Sequence, residues 1–318
     1  MVIGMKKYIL FPLIFLILSC AENEKLPVIG IVQLMENDAL DMGRLGVIET
    51  LKDSGLIHGK NIEIDYRNAQ GDLANVFLIL KQMISKNVNI IVTVSTPCML
   101  AVANMKTDIP VVYTVSFSPE QMGISNPDSK ISGVFDPYDI ESLVNIILAV
   151  QPDLKAIGIP WNSSEQNAEM GVKKLKRICD SLGIHFYERQ VNSTSEVYQS
   201  IQSLLTEEID CIVICADNTL CTAMETVSHL ALNKKIPVYV TEPDFVKKGA
   251  LLGLGLDYYQ WGKESGKMAA ELLKGKDIEE KSSKEAEKKM LYINRGLADS
   301  LKIMIPDSIL NQADSVFY

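Results

Sequence analysis

Val28-Ile29-Gly30-Ile31-Val32-Gln33-Leu34 is a short, β-rich apolar run, and residues 39–54 behind it set Met42, Leu45, Ile48 and Leu51 on one helical stripe that stops at Gly55. A buried strand feeding an amphipathic helix is the repeating unit of a parallel sheet. The unit recurs. Residues 62–66 lead to Asp72, placed to cap a helix with Leu73, Val76, Phe77, Leu80, Met83 and Ile84 on one face. Residues 89–94 and 109–115 continue as buried strands. A second series opens after Gly133-Val134-Phe135-Asp136-Pro137, where a strand breaks into a helix carrying Ile140, Leu143, Val144 and Ile147. Strands follow at 155–159, 184–191, 209–215 and 237–241. A glycine-interrupted strand at 251–256 precedes a helix over 258–274, with Trp261, Met268, Ala269 and Leu272 inward. Residues 275–289 are charged and read as solvated, and 290–294 read as a returning strand. The fold class is therefore α/β, with two parallel sheets in two lobes of ordinary domain size.

The first residues belong to a different device. Lys6-Lys7, an apolar run from Tyr8 to Leu18 and a small residue before Cys20 make a signal peptide over 1–19. The run is about 11 residues, against the roughly 20 that a membrane-crossing helix needs. Cys20 resembles the acylated cysteine of a bacterial lipobox, so the expectation is a chain lipidated at Cys20, tethered through 20–25 and facing the periplasm or cell exterior. Losing Lys6 and Lys7 takes the formal net charge from −9 to −11. Such an acidic chain is a poor partner for nucleic acid. Cys98, Cys179, Cys211, Cys215 and Cys221 form no short paired framework, and His58, His185 and His229 are too scattered to suggest a metal site.

Several chemistries lack a motif. There is no phosphate-cradling loop, no Gly-x-Ser-x-Gly elbow, no His-Glu-x-x-His and no calcium loop, and Gly253-Leu254-Gly255 lacks the third glycine of a dinucleotide fingerprint. Neither enzymatic activity nor a cofactor is expected. The polar groups that are present lie after the strands, where open parallel sheets bind ligands. The first series offers Gln33 and Glu36, then Ser95 and Thr96 before Pro97, then Ser116 and Phe117; the second offers Trp161 and Asn162, then Asp217, Asn218 and Thr219, then Glu242 and Asp244. Ser95 and Thr96 either present hydroxyls and N–H groups to a carboxylate or simply cap a helix. Asp217 is suited to an ammonium or to its own cap. Phe117 and Trp161 either stack on an apolar ligand or pack at a hinge.

Taken together with Gly59-Lys60-Asn61, the stretch Tyr66-Arg67-Asn68-Ala69-Gln70-Gly71-Asp72, Ala216-Asp217-Asn218-Thr219, Gly249-Ala250, Asp257-Tyr258-Tyr259 and residues 262–269, the chain resembles the substrate-binding lipoproteins of ABC transporters that include the tryptophan-binding type. It departs from the commoner pattern at Cys98, Met99 and Trp161. The resemblance implies a type I periplasmic-binding fold, two Rossmann-like lobes joined by three crossing strands. Residues 26–135 and 258–318 would form lobe 1 and 136–257 lobe 2, with hinge crossovers near 134–138 and 252–258. It also implies a monomeric clamp that captures an amino acid, apolar or aromatic, and delivers it to a permease driven by a separate ATPase. Ser95, Thr96 and Ser116 would take the carboxylate, and Asp217 or Asp244 the ammonium. A sensory clamp signalling to a membrane receptor, or one for a nucleoside, shares these features.

Overall fold

The computed structural model describes residues 25–105, 107–124, 130–276 and 283–318. The expected signal peptide 1–19, the acceptor Cys20 and nearly all of the tether lie outside those residues. Strand β1 (Val28–Gln33) is buried almost throughout, which is why it runs apolar instead of alternating. Helix α1 (Asp38–Asp53) is capped by Asn37, whose side chain accepts from the Leu40 N–H at 2.9 Å. Its first turn holds Asp38 and Asp41 and its last Lys52, the order that suits the helix dipole. Then come β2 (Glu63–Asn68), α2 (Leu73–Ser85), β3 (Ile90–Val94), α3 (Thr96–Ala103), β4 (Val111–Ser116) and β5 (Ile131–Phe135).

The second series runs α4 (Ile140–Val150), β6 (Ala156–Asn162), α5 (Gln166–Leu182), β7 (His185–Val191), α6 (Thr194–Leu204), β8 (Cys211–Ile214), α7 (Asn218–Thr222), α8 (Met224–Asn233) and β9 (Val238–Val240). A 3-10 turn at Pro243–Lys248 leads into β10 (Leu252–Leu256). The chain closes with α9 (Tyr258–Leu273), β11 (Lys284–Glu285), β12 (Lys289–Asn294), α10 (Arg295–Leu301), α11 (Asp307–Leu310) and β13 (Ser315–Phe317). One sheet has the order β11-β5-β4-β3-β1-β2 and the other β13-β12-β10-β9-β8-β6-β7. Each series starts in mid-sheet and reverses direction once, between β1 and β3 and between β6 and β8. Such a reversal leaves a crevice at the carboxyl ends of the strands.

Residues 258–318 do not all join the first lobe as expected. Helix α9 packs on α1, and β11 pairs with β5, but β12 pairs antiparallel with β10 and β13 pairs with β12. The reason is burial. Leu291, Ile293, Ala298, Ile305 and Ile309 all enter the apolar core of the second lobe. The chain thus passes between lobes three times, after β5, after β10 and after β11. Two ion pairs tie these passages together: Lys289 Nζ to Asp139 Oδ2 at 2.7 Å and Lys288 Nζ to Asp257 Oδ2 at 2.9 Å. Partial burial works to raise the Asp139 carboxyl, but Lys289 and Ser142 outweigh it and hold it down at about 2.

Glycines set the spacing of α1 against α9. A Cβ at Gly262 would collide with the Gly43 carbonyl, one at Gly46 with the Tyr259 carbonyl, and one at Gly266 with the Val47 backbone. The two helices therefore meet backbone to backbone. Gly262→Ala is expected to lower unfolding free energy by about 3 kcal/mol, the upper part of the usual cost of overpacking. Urea titration checks it, and an unchanged midpoint would mean the helices can separate without penalty.

Candidate functional site

The carboxyl ends of the two sheets face each other across a cavity with about 450 Å³ of empty space. The first lobe supplies Asn37, Ala39 and Leu40 after β1, Thr96 after β3, and Val115 to Phe117 at the end of β4. The second supplies Asn167, Ala216, Asp217, Asn218, Cys221 and Glu242, while Asp136, Tyr258 and Trp261 come from the passages between lobes.

The first-lobe wall depends on a break in β4. Its register with β5 shifts between Tyr113 and Ser116, and Val115 has φ +49°, a left-handed conformation costly for a β-branched residue. The bulge turns Ser116 and Phe117 out of the sheet toward the cleft. Thr96 Oγ1 accepts from the Phe117 N–H at 3.1 Å. The Ser116 hydroxyl donates to the Phe117 carbonyl at 2.8 Å, which leaves its oxygen, 3.3 Å from Thr96 Oγ1, able to accept the Thr96 proton. Asn37 uses its oxygen for the cap, and its amide N–H₂ has no acceptor among the described residues. This wall therefore presents donors.

The opposite wall presents acceptors. Glu242 is buried; its Oε1 accepts from the Thr241 hydroxyl at 2.9 Å, and its Oε2 makes no hydrogen bond of ordinary length among the described residues, although the Tyr258 hydroxyl stands near enough to work against the rise of the carboxyl. Burial, with the nearby charges of Asp136 and Asp217, pushes the Glu242 carboxyl up to about 8. Burial also pushes Asp136 up, to about 6, although the Tyr138 N–H donates to it at 2.6 Å. Asp217 differs because both oxygens are committed, to Leu220 N–H at 2.8 Å and Asn162 N–H at 2.6 Å. Burial and then the Glu165 charge raise it as well. Glu165 itself binds the start of α7 through the N–H groups of Asn218 and Thr219, both at 3.1 Å. Among the described residues no Lys, Arg or His lines the cavity.

Seven of the thirteen expected site residues stand elsewhere. Asp244 forms a surface ion pair with Lys247 at 2.8 Å, because the 3-10 turn after Glu242 carries it away from the cavity. Gln33 is buried beneath α1, donating to Asp41 and accepting from Arg44, both at 2.8 Å. Trp161 packs in the second-lobe core and donates to Glu188 at 3.1 Å, since β6 runs on to Asn162 and keeps the ring in the sheet layer. Ser95 caps α3 by accepting from the Cys98 N–H at 3.4 Å. Glu36, Asn162 and Thr219 line a separate groove at the mouth of the cleft. Thr96, Ser116, Phe117, Asp217, Asn218 and Glu242 do meet at the cavity.

Ten further residues at the cavity are not among those expected from the sequence, and five of them give it aromatic or polar character. Tyr258 and Trp261 occupy the first turn of α9, and their rings stack at 5.7 Å and 22°. They belong with the other residues beyond strand ends once β10 counts as a strand that feeds a helix. Asp136 lies in the passage after β5, Asn167 in the first turn of α5, and Asn37 before α1. Asn37 is readable as an N-cap, but its unused amide is not. Among the described residues the five cysteines are free and buried, and no group of three or more His, Cys, Asp or Glu is placed to hold a metal. No helix among them is long and apolar enough to cross a membrane.

The family model described as ABC transporter substrate binding protein matches residues 28–317. A tyrosine-binding protein of Clostridioides difficile (strain R20291) is 33% identical over 261 residues, which cover 81% of this chain and 75% of that protein. The structure of an ABC domain in complex with L-Trp from Streptococcus pneumoniae superposes with a TM-score of 0.86 at 26% identity, covering 92% of this chain and all (100%) of that one. The ligand-free, open structure of a Clostridium difficile substrate-binding protein with adhesive properties gives 0.68 at 30% identity, covering 92% and 99%. The overall arrangement is thus nearer to the L-Trp complex, although sequence identity to the open protein is slightly higher.

The raised carboxyls fix how the empty protein responds to pH. An unfolded chain releases these protons near the ordinary carboxylate value of about 4, while the folded chain keeps them to about 6 at Asp136 and about 8 at Glu242. Their contribution is full below pH ~4 and is lost as pH rises to 8, because across that window the unfolded state binds fewer protons. Asp139, held low, finishes titrating below this window. Unfolding free energy of the ligand-free protein should fall between pH 5 and 8 by on the order of a few kcal/mol. Glu242→Gln should reduce the slope above pH 6 without abolishing it, because Asp217 is raised as well, and an identical slope in that variant would contradict the assignment.

Proposed function

Because the chain belongs to the ABC transporter substrate-binding protein family, we propose that it is an extracytoplasmic receptor that captures an aromatic amino acid between its lobes for an importer. The observation that carries this reading is the polarity of the cavity: the uncommitted Asn37 amide on the first-lobe wall, and an uncommitted carboxylate oxygen on the second. A zwitterion fits that division. Its carboxylate meets the Thr96 hydroxyl, the Asn37 amide and the free N–H groups at the start of α1. Its ammonium meets Glu242 and Asp136, which take the place first given to Asp217 or Asp244. Phe117, Tyr258 and Trp261 enclose the side chain. No bond is made or broken.

The tyrosine- and L-Trp-binding relatives support this ligand class. The arrangement nearer to the L-Trp complex supports a closed form that a ligand selects. Delivery is part of the same reading. A monomeric receptor, acylated at Cys20, stays beside the permease it serves, and a separate ATPase drives transport.

Isothermal titration of the purified protein with tyrosine and tryptophan should give saturable one-to-one binding. Glu242→Gln should weaken it by about 100-fold, in line with truncating one partner of a buried charge pair. 3-Phenylpropionate and its hydroxylated analogue, which lack the ammonium, should not compete. Tight binding of these deaminated acids would overturn the ammonium assignment. Loss of tyrosine or tryptophan uptake in a deletion strain tests the importer role, and unchanged uptake would favour a sensory clamp.

A further inference from the structure

Two buried side-chain atoms of cavity residues lack a hydrogen-bond partner among the described residues, Glu242 Oε2 and Asn167 Oδ1. Resting on the amino-acid reading above, which accounts for the first, we infer that Asn167 is a specificity residue that accepts a hydrogen bond from a donor on the ligand's aromatic ring. The site then selects phenol-bearing or indole-bearing amino acids and rejects phenylalanine.

The orientation of the Asn167 amide is fixed by its surroundings. Its Nδ2 donates to the Ala216 carbonyl at 2.9 Å and to Glu165 Oε2 at 3.0 Å. Both partners are acceptors, so turning the amide over would set an oxygen against two oxygens. The oxygen must therefore face away from them, and Asn167 is only 4% exposed. A hydroxyl in that position could rotate to serve another group; an amide oxygen cannot donate. Buried unpaired acceptors cost stability, and a ligand that brings a donor recovers that cost.

The placement suits the two ends of one rigid ligand. Asn167 follows β6 and Glu242 follows β9, and β8 lies between those strands. Two strand spacings put the carboxyl ends of β6 and β9 roughly 10 Å apart. An aromatic amino acid with a ring donor carries its ammonium and its ring O–H or N–H at opposite ends. Phenylalanine fills the same space and leaves Asn167 Oδ1 unpaired. A site built to hydrogen-bond a substrate group discriminates strongly against the analogue that lacks it.

The test is isothermal titration of the full mature chain with tyrosine, tryptophan, phenylalanine and 3-benzothienylalanine, which has the shape of tryptophan with sulfur in place of N–H. Phenylalanine and 3-benzothienylalanine should bind about 100-fold more weakly than tyrosine and tryptophan respectively. In Asn167→Ala both ratios should fall toward one. A loss of packing alone would weaken all four ligands and leave the ratios unchanged, and that result would overturn the assignment. Wild-type binding of phenylalanine within threefold of tyrosine would overturn it while leaving amino-acid capture in place, independently of how the variant folds. Failure of all four to bind would remove both readings.

Discussion

Backbone contact between α1 and α9 fixes where the walls of the cleft stand. With Gly43 and Gly46 on one helix and Gly262 and Gly266 on the other, no side chain separates the two axes at the contact. The first turn of α1 brings Ala39 and Leu40 to the cavity, and the first turn of α9 brings Tyr258 and Trp261. Two helix starts, far apart in sequence, become one surface. Trp261 is further held by donation from its indole N–H to the Val134 carbonyl at 2.6 Å, tying α9 to β5. Gly43 also leaves the space that the Val115 side chain fills, so the same contact supports the bulge in β4.

Backbone strain collects around that surface. Ser95, Val115 and Tyr138 have φ of +119°, +49° and +57°, and each lies at or just beyond the carboxyl end of a first-lobe strand. Conformations of this kind cost about 1–3 kcal/mol each and persist where the surroundings over-determine them. Tyr138 shows how. Its ring meets Phe117 edge-on at 4.9 Å, its carbonyl accepts from Lys174 Nζ at 2.6 Å, and its hydroxyl occupies space that any side chain at Gly171 would claim. A residue in the passage between lobes is thus pinned to α5 of the second lobe and to Phe117 of the first. Motion between the lobes has to pass through that pin.

The alternation of strand and helix was legible from residue 28 to residue 274 because buried parallel strands are written as apolar runs and their helices as one-sided stripes. The destination of β12 was not. Residues 289–294 alternate, which marks a strand covered on one face, but alternation does not name the edge it joins. The residues of the cavity were legible where position after a strand alone brings them there, as at Thr96, Ser116, Asp217 and Glu242. Legibility failed where one or two residues of extra strand or turn re-aim a side chain. Trp161 stays in the sheet because β6 is longer than its pattern suggests, and Asp244 leaves because a 3-10 turn intervenes. Whether an amide or carboxylate has spare bonding capacity depends on partners distant in the chain, such as Ala216 for Asn167, and periodicity carries no record of them.

The cavity is electrostatically incomplete on its own. Glu242 and Asp136 share it with Asp217, no basic side chain among the described residues lines it, and taking carboxylates out of water is tolerable only when they are neutralised. In the empty protein the neutralising agent is a proton, which is the physical content of carboxyls raised to about 8 and about 6. On the amino-acid reading proposed above, a ligand ammonium does the same work with directed hydrogen bonds, and it does so only when both walls surround it. Its affinity for the closed arrangement then exceeds that for an open one, where water already satisfies the acids, and this difference is all that a ligand needs to shift the equilibrium between them. On this account the acids that make the ligand-free cavity unfavourable above neutral pH also link capture to closure. A closed cavity already neutral without a ligand would have no such reason to wait for one.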